Sequence, residues 1–489
     1  MVVCGPDTAC LPCRVKPLSV PLAVGVGALA AVAYWLAFAT PTGAAGVLVG
    51  LPCVCLLGRL GTARRAFYGG LLAGVAMYAP PLAFFYQVFG PNGTLLWLIA
   101  GIPVGAFVLL VYHARRRLGE GWAVVLTPIL WTGVEYFRSE LYALRFAWLL
   151  PAQAPAFLPG VRLLAVGVYG LGFTYAVVAA MVVGRHAVAR IVGCLASLAL
   201  AVLMYWPALP ASPQTDAPLH VAGVQLEGPG EWSAATALDR LATAHPEAQV
   251  LVLSEYTFHR PVPAMVREVV RKHRRYLVAG GIKERGDGRF YDTAFVIGPD
   301  GREVFEQGKS VPVQFMADGL PAEGRRVWES PWGRIGIAVC YDVSYARVMD
   351  DFIRQGAGGL IVPTMDLASW GGFERRMLHG RLAPVRSAEY GVPVFGVWSS
   401  GESQLTDRQG RVIARAGYPG QGEMIAGAFD VRQPGRVPPD RPLAMAATLA
   451  TGAFILYLLI WRALRRRGKD GARGDGSGRD DFSIAVHKI

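Results

Sequence analysis

Hydropathy is distributed very unevenly along this 489-residue chain, and that unevenness limits its folds more than any motif. Apolar runs fall at about 18–38, 44–58, 66–89, 94–112, 121–137, 161–184 and 188–206, and an eighth lies near 443–461. Most approach the ~20 residues that a helix needs to cross a bilayer. The second is short and contains Pro52, which makes it the weakest candidate. A hydrophobic fraction of 53% and a mean hydropathy of +0.36 are too high for one water-soluble globule. In lipid every backbone amide must be paired within its own segment, so the expected form of these runs is helical. Arg14 and Lys16 before the first run could open a signal peptide. There is no clear small-residue cleavage site and six more runs follow, so the first run is read as a retained span.

The net charge of +13 could mark a nucleic-acid partner, but the placement of the charges argues against one. Arg14 and Lys16 precede the first run. "GRLGTARR" (58–65), "HARRR" (113–117), "GRHAVAR" (184–190) and "WRALRRRGK" (461–469) then follow the second, fourth, sixth and eighth. If each run crosses once, all of these clusters lie on one side, and the positive-inside rule makes that side the cytoplasm. The expected division is a cytoplasmic segment 1–17, a seven-helix membrane domain 18–206, an extracytoplasmic domain 216–433, a last span 443–461 and a cytoplasmic tail 462–489. The tail, "DGARGDGSGRDDFSIAVHKI", is polar and Gly-rich and is expected to be disordered.

Residues 216–433 follow another rule. Strand candidates occur at 219–226, 248–255, 275–282, 292–301, 333–340, 357–364 and 392–400. Several are continuously apolar, as strands covered on both faces are. "FVIGPDGREV" and "QLTDRQGRVIARA" read as hairpins. Helices fit at about 232–245, 262–274, 345–355 and 374–390. The architecture expected is a layered α/β sandwich, and about 220 residues suffice for a sizeable core.

Of the seven cysteines, at 4, 10, 13, 53, 55, 194 and 340, only Cys340 lies in this block. It therefore has no disulfide partner within the domain. It ends the β-like run in "RIGIAVCYDVSY" and is either a small core residue or a used thiol. Cys4, Cys10 and Cys13 faintly resemble a metal-ligand spacing, but no fourth ligand is near and no metal is expected. "VLVLSEYTF" ends an apolar strand on Glu255, and "EQGKSVP" places Lys309 just past a hairpin strand. Sites in α/β sheets favour that carboxyl edge. The plain alternative for Glu255 and Lys309 is an ion pair at a sheet edge.

The order and spacing of Glu255, Lys309 and Cys340, with "CYD" at the end, resemble the nitrilase (carbon–nitrogen hydrolase) superfamily. "IVPTMDLASWG" and "HGRLAPVRSAEYGVPVFGVWSSGESQLTDRQGRV" add to that likeness. The resemblance implies an αββα sandwich with a Glu-Lys-Cys triad. Cys340 would be the nucleophile, Glu255 its base, and Lys309 the stabiliser of the oxyanion. The membrane half narrows the likeness. "TPILWTGVEYFRSELYALRFAWLLPAQ" (127–153), with Pro128, Trp131, Glu135, Arg138, Trp148 and Gln153, resembles the apolipoprotein N-acyltransferase family. So do "LLAVGVYGLGF" (163–173) and "VQLEGPGEW" (224–232), the latter carrying Gln225 and Trp232.

That likeness implies about eight transmembrane helices and a nitrilase-like domain facing the periplasm of a bacterial inner membrane. A Cys340 thioester would take an acyl chain from a phospholipid, expected to be phosphatidylethanolamine. It would pass the chain to the amine of a diacylglyceryl-cysteine on a lipoprotein. No cofactor is called for, and a monomer is expected. Trp148, Trp232, Tyr341, Asp342, Asp366 and Glu389 are expected to support or bind substrate. Glu135 and Arg138 either pair structurally or shape the entry for a headgroup. A membrane-anchored amidase with water as acceptor is the alternative.

Three departures from the family stand out. The Gly-Glu usual after the lysine is missing from "KSVPVQFMADGLPAEG", which leaves Asp318 and Glu323 as nearby acids. Asp342 replaces the usual Glu after the Cys-Tyr pair. "PTMD" leaves only Asp366 of a usual Ser-Asn-Asp. The segments 316–324 and 367–374 are the expected lids.

Overall fold

A computed structural model describes residues 17–207, 218–370, 372, 378–418 and 420–474, with side chains through 464. Cys4, Cys10 and Cys13, the Arg14–Lys16 cluster, the first residues of the helix expected from 374 and the end of the tail lie outside the described residues. Helices occupy all eight apolar runs: α1 (Val20–Ala39), α2 (Val47–Leu57), α3 (Ala63–Tyr78) with the short α4 (Phe84–Phe89), α5 (Gly93–Leu118), α6 (Glu120–Tyr136), α7 (Val168–Val182) and α8 (Ala187–Tyr205). α9 (Glu231–Ala244), α10 (Ala264–His273), α11 (Ala346–Arg354) and α12 (Leu382–Tyr390) belong to the α/β part, and α13 (Asp440–Gly474) ends the described chain.

Among the described residues, four stretches can cross a membrane by length and composition: Val20–Ala39, Phe84–Leu118, Ala187–Tyr205 and Asp440–Leu464. A fifth is added if the bent pair Pro159–Val166 and Val168–Val182 counts as one. This is fewer than the eight spans expected. α2 has 11 residues and contains Pro52, α3 has 16 and α6 has 17, at or below the short end of the length that crosses a bilayer as one straight helix.

α3 and α5 approach closely because each carries a Gly-x-x-x-Gly pair, Gly70/Gly74 and Gly101/Gly105. A Cβ on Gly70 would lie 2.7 Å from Val108, and one on Gly101 would lie 2.8 Å from Val75. Such small faces let helix backbones meet where lipid supplies no hydrophobic drive. One end of the bundle gathers Arg59, Arg115, Glu120 and the Val183 carbonyl, with Arg59 and Arg115 each 2.8 Å from Glu120. The opposite end gathers the C-terminus of α1, the loop 142–158 and the start of α13, and these meet the α/β domain. Arg381 donates to Phe38 O (2.9 Å) and Ala154 O (2.8 Å). Asp440 accepts from the amides of Tyr169 and Gly170.

The α/β domain has two six-stranded sheets. One runs β12-β1-β2-β3-β4-β5 and the other β11-β10-β9-β8-β7-β6. The strands are β1 (Leu219–Leu226), β2 (Val250–Val252), β3 (Tyr276–Glu284), β4 (Phe290–Ile297), β5 (Glu303–Gly308), β6 (Val327–Ser330), β7 (Gly333–Ile337), β8 (Gly359–Thr364), β9 (Val394–Trp398), β10 (Ser403–Thr406), β11 (Val412–Ala416) and β12 (Gln421–Phe429). β1-β2-β3 and β7-β8-β9 are parallel, and the outer strands are antiparallel.

Alternation sorts the side chains by layer. Val221, Val250, Val252, Val278 and Val296 join the core shared with Ile335, Ile337 and Ile361 of the second sheet. Their neighbours Ala222, Val224, Leu251, Leu277 and Ile297 pack with Leu238 and Leu241 of α9 and Val266 and Val270 of α10. On the other side α11 buries Val348, Met349, Phe352 and Ile353, with Phe352 against Gly336. Both carboxyl edges of the parallel strands open toward the same place.

Candidate active site

Cys340 follows β7 and opens a 3-10 turn, Cys340–Ser344. Ala338 still pairs with Ile361 O (3.0 Å), so the strand holds its course until the residue before last. The chain then breaks sharply, with Cys340 at φ +50°, a conformation uncommon outside glycine. Such local strain persists only where surrounding contacts fix it. Here Arg386 fixes it from behind: its Nε donates to Val343 O (2.8 Å), and its other nitrogens bond Ser344 O and Glu389. Glu255 sits at a similar break after β2, with Tyr256 at φ +48°. That turn presses on β3, where a Cβ at Gly280 would be 2.5 Å from Glu255 Cα, so only glycine fits.

The structure brings Glu255, Lys309 and Cys340 together. Lys309 Nζ is 2.6 Å from Glu255 Oε1, and Glu255 Oε2 accepts from the Met365 amide at 2.6 Å. The Cys340 thiol lies within hydrogen-bonding reach of the Glu255 carboxylate. Burial pushes the thiol well above the ordinary cysteine range, the negative charge of Glu255 adds to that, and Lys309 only partly opposes it. Burial is the largest single influence and favours neutral Glu255, but the Lys309 charge together with the hydrogen-bonding groups around it outweighs burial and holds the carboxyl below the usual range. Burial disfavours the charged lysine, yet Glu255 and the other acids around it raise its proton affinity well above normal. The resting arrangement is thus a protonated thiol beside an ionised carboxylate and a charged lysine.

Two further acids complete the cluster. Asp318 Oδ2 lies 2.7 Å and Asp292 Oδ2 3.3 Å from Lys309 Nζ. Asp318 also accepts from Tyr256 OH (3.1 Å) and the Val313 amide (2.6 Å), which pins the loop after Lys309 over the site. Of the two acids near the missing Gly-Glu, Asp318 therefore reaches the lysine. Glu323 instead meets Tyr291 OH at the surface. Asp292 escaped the sequence reading because it looks like an ordinary strand residue in "FYDTAFVI". Only pairing with β3 and β5 turns it inward.

The other expected residues divide. Tyr341, Asp366 and Trp148 line the cavity above Cys340. Trp148 donates to Ser344 Oγ (2.9 Å) and faces both Tyr341 and His379. Asp366 pairs with His379 Nδ1 at 3.0 Å, a contact the sequence alone could not reveal. Asp342 points below the site and accepts from the amides of Ser310 and Val311 (2.8–3.0 Å), which fixes the segment after Lys309. Burial pushes its carboxyl up to about 6 against those donors.

Two expected residues lie elsewhere. Trp232 begins α9 with 70% of its surface exposed and is not among the cavity-lining residues. Its polar indole sits on the solvent face because Ala234, Ala235 and Leu238 take the inner face. Glu389 is buried but bonds Arg386, Arg441 Nη2 (2.8 Å) and the Val168 amide, so it ties α12 to α7 and α13. Arg138 reaches the cavity wall, donates to Phe146 O (3.0 Å) and stands 4.0 Å from Glu135.

The cavity itself decides what can reach Cys340. It encloses about 1160 Å³, partly continuous with the exterior. Its far wall is apolar and comes from the bundle: Phe84, Phe85, Val88 and Phe89 of α4, then Leu96, Ile99 and Pro103 of α5. Phe315, 65% exposed, meets the Phe89 ring at 6.4 Å across the opening. A passage walled by membrane helices and floored by a thiol suits a long apolar chain better than a small amide.

Comparison with known proteins agrees with this two-part build. Residues 25–181 match the model of the apolipoprotein N-acyltransferase N-terminal domain, and residues 236–432 match that of carbon-nitrogen hydrolase. Together the two matches make the chain similar to the apolipoprotein N-acyltransferase family. It is 25% identical over 413 residues to the apolipoprotein N-acyltransferase of Geobacter metallireducens, covering 71% of this chain and 78% of that protein. It is also 27% identical over 172 residues to omega-amidase NIT2-B of Xenopus laevis. That match covers 32% of this chain and spans 62% of the amidase's length. Among solved structures, Nit3 of Saccharomyces cerevisiae, a member of branch 10 of the nitrilase superfamily, aligns at 20% identity and a TM-score of 0.39. It covers 45% of this chain and 93% of Nit3. The match to the apolipoprotein N-acyltransferase N-terminal domain falls on the membrane half.

Proposed function

We propose that the protein moves an acyl chain from a phospholipid to the α-amine of the diacylglyceryl-cysteine of a lipoprotein. The observation that carries this reading is the placement of Cys340, with Glu255 and Lys309 beside it, at the floor of a cavity whose far wall is membrane helix. In the first half, Glu255 takes the Cys340 proton and the thiolate attacks the ester carbonyl carbon. Lys309, with the amide after Cys340, stabilises the oxyanion. Collapse breaks the C–O bond, Glu255 protonates the departing glyceryl oxygen, and a thioester stays on Cys340. In the second half the amine nitrogen attacks the thioester carbon and gives its proton to Glu255. The C–N bond forms, the C–S bond breaks, and Cys340 recovers the proton.

Both substrates are held in the bilayer at roughly 0.8 kcal/mol per buried CH₂, so a membrane-walled entry is the economical arrangement. Phosphatidylethanolamine is the proposed donor, and the enzyme is proposed to work as a monomer. Eight crossings, with the basic loops in the cytoplasm and the α/β domain in the periplasm of a bacterial inner membrane, complete the reading. The basic cluster around Arg59 and Arg115, at the end opposite the α/β domain, supports that orientation.

The test is acyl-enzyme trapping. Full-length protein incubated with labelled phospholipid is expected to gain one hydroxylamine-sensitive acyl group, which Cys340→Ala abolishes. An Ala variant that still accumulates the thioester places the nucleophile elsewhere.

A further inference from the structure

Lys309 is in contact with three buried carboxylates: Glu255 at 2.6 Å, Asp318 at 2.7 Å and Asp292 at 3.3 Å. Carboxyl oxygens of the three acids lie within 4.8 Å of one another. Tyr256 and the Cys340 thiol face the same cluster, and Asp342 feels the lysine from below. One positive charge cannot balance three negative ones in a place so poorly solvated, so the cluster must retain protons.

The hydrogen bonds say where. Asp318 has two further donors, Val313 N and Tyr256 OH. Glu255 has Met365 N as well as the short contact with Lys309. Asp292 is fully buried, its carboxyl has the longer lysine contact and, among the described residues, no other donor, and its oxygen lies within 4.8 Å of those of Glu255 and Asp318. The buried carboxyl with the fewest donors is the one that retains a proton, and two carboxyls this close can hydrogen-bond to each other only through one.

We propose that Asp292 carries a proton in the resting protein and donates it in a hydrogen bond to Glu255, as the positioning residue that keeps Glu255 ionised and aimed at Cys340. The assignment rests on Glu255 being the base of the proposed reaction. Burial and the charge of Glu255 both raise the affinity of Asp292 for that proton, in agreement with the geometry. The donated bond also tempers Glu255. It takes the thiol proton, yet releases it readily to the departing oxygen.

The experiment measures the rate of acyl-enzyme formation against pH in full-length wild type, Asp292→Asn and Asp292→Ala. Wild type should slow on the alkaline side as Asp292 gives up its proton. Asparagine keeps a neutral N–H donor, so Asp292→Asn should hold the neutral-pH rate within about threefold and lose that alkaline fall. Asp292→Ala, which removes a donor to a charged acceptor, should slow about tenfold or more. An Asn variant as slow as Ala, or one with the wild-type alkaline fall, overturns the proposal.

Infrared spectroscopy of wild type without substrate gives a readout that needs no variant. A protonated-carboxyl band should disappear over the pH range in which acylation slows, and no such band, or one that persists, also overturns it. If the band behaves as expected but no acyl-enzyme forms, the proposed reaction fails while the protonated Asp292 stands.

Discussion

Replacing Lys309 with methionine should produce a destabilisation that depends steeply on pH. The substitution keeps the apolar stem but leaves Glu255, Asp292 and Asp318 without their shared ammonium. A buried carboxylate that loses its partner escapes by binding a proton. Relative to an ordinary carboxyl, that costs about 1.4 kcal/mol for each pH unit above ~4.3. At pH 7 one forced protonation costs roughly 3.5 kcal/mol and two cost roughly 7. Because the folded variant binds more protons than its unfolded chain, its stability falls as pH rises. At pH 5 the same penalty shrinks to about 1 kcal/mol per proton. For a domain of this size, about 2–4 °C of Tm accompanies each kcal/mol, so the variant should melt about 7 °C or more below wild type at pH 7. Most of that gap should close at pH 5. Thermal melts of both proteins in one detergent across this range, followed by tryptophan fluorescence, provide the measurement. A small deficit that does not change with pH would refute the charge argument.

Two other outcomes follow from the structure. Arg441 at the head of α13 contacts Asp350 (3.1 Å), Glu389 (2.8 Å) and Asp440 (2.8 Å), so Arg441→Met should cost about 3–5 kcal/mol, visible as a lowered Tm and a protease-sensitive junction near 430–440. A reporter fused after Lys469 should report the cytoplasm, and a periplasmic readout would break the proposed eight-crossing topology.

The parts of this molecule legible in its sequence are those governed by local pattern. β1, β8 and β9 are continuous apolar runs between turn residues, and the Pro-Asp-Gly before β5 marks its hairpin, so their strands lie where hydropathy puts them. β6 and β12 were illegible: β6 has four residues, and "QGEMIAGAF" mixes small and polar residues into its run. Glu255 and Cys340 are visible because each ends an apolar strand.

Asp292 and Asp318 carry no such sign. One is a strand acid whose inward face depends on pairing register, and the other sits in a loop whose path is set by Tyr256 and Val313. Glu389 illustrates the opposite error: its place in a recognisable motif suggested a part in the site, but Arg386 and Arg441 hold it in the joint between domain and membrane helices. Three of the apolar runs, 44–58, 66–89 and 161–184, mark helices well yet overstate their length, because hydropathy extends through the turns and breaks that bound them.

The central claim is acyl transfer to an amine rather than to water. The most direct measurement is the mass of a diacylated lipopeptide with a free N-terminal cysteine amine after incubation with phospholipid and the full-length protein. The account predicts a mass gain of one acyl chain on that amine, lost in Cys340→Ala. Release of free fatty acid with the lipopeptide unchanged would contradict it and make the protein a hydrolase.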